Sequence, residues 1–218
     1  MTEQSEMAFA EAGEAAELAA YLARQLRWDR TAAARLKAEG EVLAVFTRPA
    51  RFEVLAVRPV RLRAPLALDR TVSAGELLEA LDEERSAARL PAPVTGPSWA
   101  GLLPPRGGWR PVAELPHQEV GAAAAAVVAE FRERTERLAP PERTRSTLDA
   151  LAEEIWSRQL PGTRLPLRAV HAAHALGLLR AAVPVRVLER AGWLRLRAGL
   201  GSTTVRSAGV GGLSVTPL

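Results

Sequence analysis

Seven prolines and four glycines fall between residues 90 and 116 of this 218-residue chain. Proline lacks the amide donor that helices and inner strands use, so no regular element can run through this stretch unbroken. The chain is thereby divided into a segment before residue 90 and another after residue 116, each long enough to bury a core. The same stretch holds Trp99 and Trp109, two of the five tryptophans. A solvated spacer rarely carries indoles. We therefore expect 90–116 to be ordered, lying across the surface between two units with both rings packed; the competing expectation is an exposed recognition loop.

Each flank shows a similar succession, a helix pair followed by strands around a tight turn. In the first, Leu18, Tyr21, Leu22 and Leu26 recur at helical spacing within residues 5–27, with Glu11, Glu14 and Glu17 ahead of Arg24 and Arg27, as the helix dipole favours. A second helix is predicted from Asp29 to Gly40, a residue that tolerates a left-handed C-cap. Val42 to Thr47 reads as a buried strand. Phe52, Val54 and Ala56 read as one face of its partner, bent or edge-placed at Pro59. Ser73 and Glu76 have capping-box spacing ahead of a third helix that carries Leu77, Leu78 and Leu81 as far as Ala88.

In the second flank an alanine-rich helix is expected from Pro116 to Leu138, with Val120, Val127, Val128 and Phe131 along one side; Pro140 and Pro141 stop it. Helices over 146–160 and 167–179 follow. Strands then alternate from Val183 to Leu196 around a turn at Arg190 to Gly192, and a third strand is expected at Ser202 to Arg206. The glycine-rich tail from Ala208 is expected to be irregular. The predicted fold class is α+β: two similar units, each a helix pair packed on a small antiparallel sheet, with additional helices between them. Their bounds are 1–89 for an N-terminal unit, 90–116 for the ordered connector and 117–218 for a basic C-terminal unit.

Charge separates the two flanks. Residues 158–218 hold nine arginines and one acid, Glu189, for +8, while the rest of the chain holds 20 basic and 24 acidic residues, for −4. Lys37 is the only lysine among the 29 basic residues. With alanine and leucine also abundant, that is the mark of GC-rich codon usage, so the arginine count alone argues little for nucleic acid. Cysteine is absent, which excludes disulfides, thiolate catalysis and thiolate metal ligation. The first 23 residues carry five glutamates and no lysine or arginine, unlike a signal peptide. The longest uncharged apolar run in a helical context, Gly121 to Ala129, is far short of the ~20 residues of a membrane span. These features point to a soluble cytoplasmic protein.

His171 and His174 stand three apart on a predicted helix, ~60° around its axis, a spacing that can supply two metal ligands. Both fall among Leu167, Val170 and Leu178, and a third ligand would have to come from Glu189, Glu153 or Glu154. Two partly buried structural histidines explain the pattern more simply. Gly96, Ser98 and Gly101 are mis-spaced for a nucleophile elbow, and the glycines from 199 onward follow no strand-to-helix turn and have no lysine beside them. Asp82, Glu83 and Glu84 read as a solvated helix end. No cofactor is implied, and the chain leans away from being an enzyme.

Between residues 146 and 198 the order helix, short turn, helix, basic hairpin is that of a winged helix, whose hairpin arginines Arg186, Arg190, Arg195 and Arg197 could contact phosphates. The preceding helix would present Arg168, Ala169, Ala172, Ala173 and Leu176, which offer little for reading base edges. The simpler account has the basic C-terminal unit docking on the acidic N-terminal helix of the same or another copy. The expected function is thus a non-catalytic protein-interaction or regulatory role with self-association. Nucleic-acid binding is the alternative, and a metal protein or enzyme the third reading. Contact residues are expected at the four hairpin arginines and at Trp99 and Trp109.

The stretches LAVFTRP (Leu43 to Pro49), PAPVTGPSWAGLLPPRGGW (Pro91 to Trp109) and EEIWSRQLPGTRLPLRAVHAAHALG (Glu153 to Gly177) resemble those of an uncharacterised actinobacterial family of about this length. The resemblance implies a cytoplasmic chain of two adjoining domains of unknown function. It brings no catalytic or binding residues with it.

Overall fold

The computed structural model describes residues 6–50 and 52–207, so the tail from Ala208 lies outside the described residues. Strand β1 (Glu6–Ala8) precedes helix α1 (Glu14–Trp28). The helix begins later than residue 5 because β1 pairs with Ala87–Arg89 and Gly13 turns the chain at φ 90°. Ala15, Leu18, Tyr21 and Leu22 form its buried face, with Glu14 and Glu17 in the first turn and Arg27 in the last.

The helix expected over 29–40 does not form. Residues Ala33–Thr47 are a single strand, β2, paired antiparallel with β3 (Leu55–Ser73). Ala34, Leu36 and Ala38 are buried, while Arg35 and Lys37 on the other face reach Asp69 at 2.6 and 2.9 Å. The helix propensity of Ala, Leu and Lys is worth only tenths of a kcal/mol per residue, and an alternating face that can be buried against a partner strand outweighs it. Gly40 does adopt a left-handed conformation, φ 80°, but at the register shift between Gly40 and Val42 rather than at a helix end. The first flank therefore contributes one long helix on its sheet, not a pair.

Helix α2 (Ala74–Glu79) starts where the capping spacing placed it: the Ser73 hydroxyl accepts the Glu76 N–H at 3.3 Å. It ends early because β4 (Leu81–Asp82) and β5 (Ala87–Arg89) join β1 in a three-stranded sheet of order β1-β5-β4. The connector is ordered. The Val94 N–H donates to the Thr71 carbonyl at 2.9 Å, a 3-10 turn covers Ser98–Gly101, and Arg110–Leu115 forms an edge strand, β6.

After it come α3 (His117–Arg137), α4 (Arg145–Ser157), α5 (Leu167–Ala175) and the strands β7 (Val185–Arg190), β8 (Trp193–Ala198) and β9 (Gly201–Arg206). These match the elements expected from the sequence. Strands from both flanks form one antiparallel sheet of order β2-β3-β9-β8-β7-β6. Among the described residues, its cross-flank pairing sets Leu55, Ala56 and Val57 of β3 against Thr204, Thr203 and Ser202 of β9.

Ala56, Thr203, Leu196 and Val187 lie in register on the helix-covered face and are all buried. There the Thr203 hydroxyl donates to the Ala169 carbonyl of α5 at 2.9 Å. Arg58 of β3 donates to the Leu200 carbonyl at 2.7 Å and stands 3.5 Å from Glu14 of α1, with both side chains largely buried. The opposite face carries Leu55, Val57, Ser202 and Thr204 beside the arginines of the β7–β8 hairpin.

Candidate partner-binding cleft

At one end of the six-stranded sheet β3 and β9 part company. β9 stays in register with β8 as far as Arg206, opposite Trp193, but with β3 only as far as Thr204, opposite Leu55. Just before Leu55 the chain turns away at Glu53, whose φ of 51° is unusual for a residue other than glycine. The gap opens into a cleft of about 770 Å³, within the volume range of binding sites.

Leu55, Leu194 and Val205 of the sheet line it. Trp99 and Leu102 of the connector also line it, with Leu102 59% exposed, as do Glu153 of α4, Pro166 just before α5 and Arg168 of α5. An adjoining hollow of about 650 Å³ shares Arg48, Glu53, Trp99, Glu153 and Arg168. Arg168, its side chain 17% exposed, is held by Glu153 at 2.5 Å and Glu53 at 3.8 Å. The Arg206 guanidinium sits 4.9 Å over the Trp193 ring. Arg164 bonds Glu189 at 2.8 Å; it and then Arg110 hold that carboxyl below the usual range.

Of the two histidines, His171 belongs to an aromatic cluster. Its ring lies 5.1 Å from Phe52 and 5.2 Å from Trp156, while Phe131 and Trp28 extend the cluster at either end. Burial, and then the charge of His174, push His171 down to about 4. His174 is exposed. Among the described residues no group of three or more His, Asp or Glu side chains gathers in a way that could hold a metal.

The four hairpin arginines share one sheet face, yet two are engaged there. Arg186 bonds Glu114 at 2.6 Å, and Arg195 donates to the Ser202 hydroxyl at 2.6 and 2.9 Å while lying 5.4 Å over Trp109. Burial, then the charge of Arg197, lowers the Arg195 pKa. Arg190 lies over Gly108, and Arg197 is exposed. Trp109 is half-buried and donates its indole N–H to the Pro105 carbonyl at 2.8 Å.

The hairpin is hydrogen-bonded between β6 and β9, so it is no free wing. Ala169, Ala172, Ala173 and Leu176, expected to face outward, are buried because α5 packs against β8, β9 and α3. Trp99 is thus the one expected contact residue that the structure brings into the cleft. Sequence reasoning missed Trp193, Arg206, Arg48 and Glu53. The only local signal was a tryptophan directly after the Gly192 turn.

Residues 2–101 match the family model of a domain of unknown function (DUF8010), and residues 104–210 match that of a second (DUF8185). No curated protein matches the chain. Among solved structures, the DNA polymerase III subunit beta of Bartonella birtlesii bound to griselimycin superposes with a TM-score of 0.53 at 12% identity, over 92% of this chain and 64% of that one. The corresponding subunit from Thermotoga maritima gives 0.52 at 8% identity, over 93% and 64%. The DNA polymerase sliding clamp of Caulobacter crescentus gives 0.51 at 14%, over 88% and 63%. The chain therefore spans less than two thirds of the length of these proteins, and at such identities the likeness is one of fold.

Proposed function

We propose that this chain is a non-catalytic, cytoplasmic protein-interaction protein that receives a partner in the cleft between β3 and β9. One observation carries the reading: Trp99, Leu102 and Trp193 reach a common cleft whose rim is charged, which is the composition of a protein-binding hot spot rather than of a solvated surface. The fold likeness supports it, since the matched structures are named as a subunit and a clamp of DNA polymerase. Two copies of the chain are one form such an assembly takes. Nucleic-acid binding through the β7–β8 face is the weaker reading, because Arg186 and Arg195 are already bonded to Glu114 and Ser202.

Light scattering combined with affinity capture from the native host tests the proposal. A protein, or a second copy, should be retained by the wild type and lost from Trp99→Ala. A strictly monomeric chain that retains nothing, or retains the same proteins after Trp99→Ala, overturns it.

A further inference from the structure

We infer that the partner presents an extended acidic peptide with apolar side chains at alternate positions, laid as a short strand along the open edge of β9. This inference rests on the interaction reading above and specifies the partner's chemistry. Past the Thr204–Leu55 pair, β9 runs on to Arg206 with β8 on one side and, among the described residues, no strand on the other. The Ser207 N–H is used on the β8 side, donating to the Gly192 carbonyl at 3.0 Å. By the alternation of an antiparallel strand, the N–H and C=O of Arg206 are then turned to the β3 side, where an extended chain can bond to them as a neighbouring strand would.

Successive side chains of such a strand point to opposite faces, so residues of one kind recur at alternate positions. The connector and β8 supply Trp99, Leu102 and Trp193, where apolar side chains gain most from burial. Charge selects the other positions. Glu53 and Glu153 are both bound to Arg168, whereas Arg48 and Arg206 have no carboxylate partner among the described residues. The rim is left with an excess of positive charge, which an acidic segment complements and a basic one opposes.

The test is fluorescence anisotropy with a labelled decapeptide of alternating Asp and Leu, compared with counterparts carrying Lys for Asp or Ser for Leu, and with a single-stranded oligo-dT. The acidic apolar peptide should bind more tightly than each of the others by about ten-fold or more. Trp99→Ala and Arg206→Glu should each weaken it by a similar factor, while Arg197→Glu, outside the cleft towards the other end of β8, leaves it unchanged. Circular dichroism confirms that each variant is folded. Equal or tighter binding of the lysine peptide or of oligo-dT overturns the inference, as does indifference to both cleft variants. If the wild type still captures a Trp99-dependent protein but ignores the acidic peptide, this inference fails and the broader reading stands; if both fail, neither stands.

Discussion

His171 titrates against its surroundings. Its ring sits between Phe52 and Trp156, and burial together with His174 pushes its pKa down to about 4, below the ordinary histidine value near 6.5. A depressed histidine pKa means that the folded state prefers the neutral ring. Its contribution to stability is complete above pH ~6.5 and is lost as the pH falls towards 4. Because the ring is only partly buried, the loss should be about 2 kcal/mol rather than the full linkage value. His171→Phe should flatten the change in urea midpoint between pH 7.5 and pH 4.5. An unchanged pH dependence would refute this account. The residue's place on an apolar helix face was readable from Leu167, Val170 and Leu178. Its ring partners were not, since Phe52 lies far away in sequence and meets it only in the folded chain.

At the level of elements, the sequence was most readable where a local signal and tertiary packing agree. Pro116, Pro140 and Pro141 bracket α3, and the turn at Gly192 separates β7 from β8, as expected. Residues 33–40 show the opposite case. Ala, Leu, Lys and Glu favour a helix, yet the alternation of Ala34, Leu36 and Ala38 with Arg35 and Lys37 was already present, and pairing with β3 decides in its favour. The edge strand at the end of the connector was not recognisable, because Pro111 argues against a strand except at an edge or bulge. The cap of α2 provides a direct test. Ser73→Ala removes the acceptor of the Glu76 N–H and should lower stability by about 1 kcal/mol in urea unfolding, whereas Ser73→Asp should preserve it.

For the whole molecule, the cleft exists because two distant segments meet and then separate. Its walls come from residues 48–55, 98–102, 153–168 and 193–207, a grouping that no local pattern in the sequence could disclose. What brings them together is the short β3–β9 ladder, and Gly201 is its tightest point: a Cβ there would lie 2.4 Å from the Val57 carbonyl oxygen. Gly201→Ala should force the strands apart and cost ~2 kcal/mol or more, with a lower melting temperature and weaker capture at the cleft. The same substitution at Gly192, where a Cβ meets nothing within 4 Å but φ is 75°, should cost less than this and leave the cleft intact. Arg58 reinforces the join by bridging Glu14 and the Leu200 carbonyl.

The ladder also sets an order of events when the chain is made. Thr204 donates its hydroxyl to the carbonyl of Leu55, 149 residues earlier, so the edge of β3 stays open until the chain as far as Thr204 has left the ribosome. Until then the first flank exposes an unpaired strand beside Leu55 and Val57, the sort of surface on which nascent chains associate wrongly or are held by chaperones. Arrival of β9 ends that interval, and the cleft forms in the same step, so a truncated or stalled chain lacks the binding surface altogether.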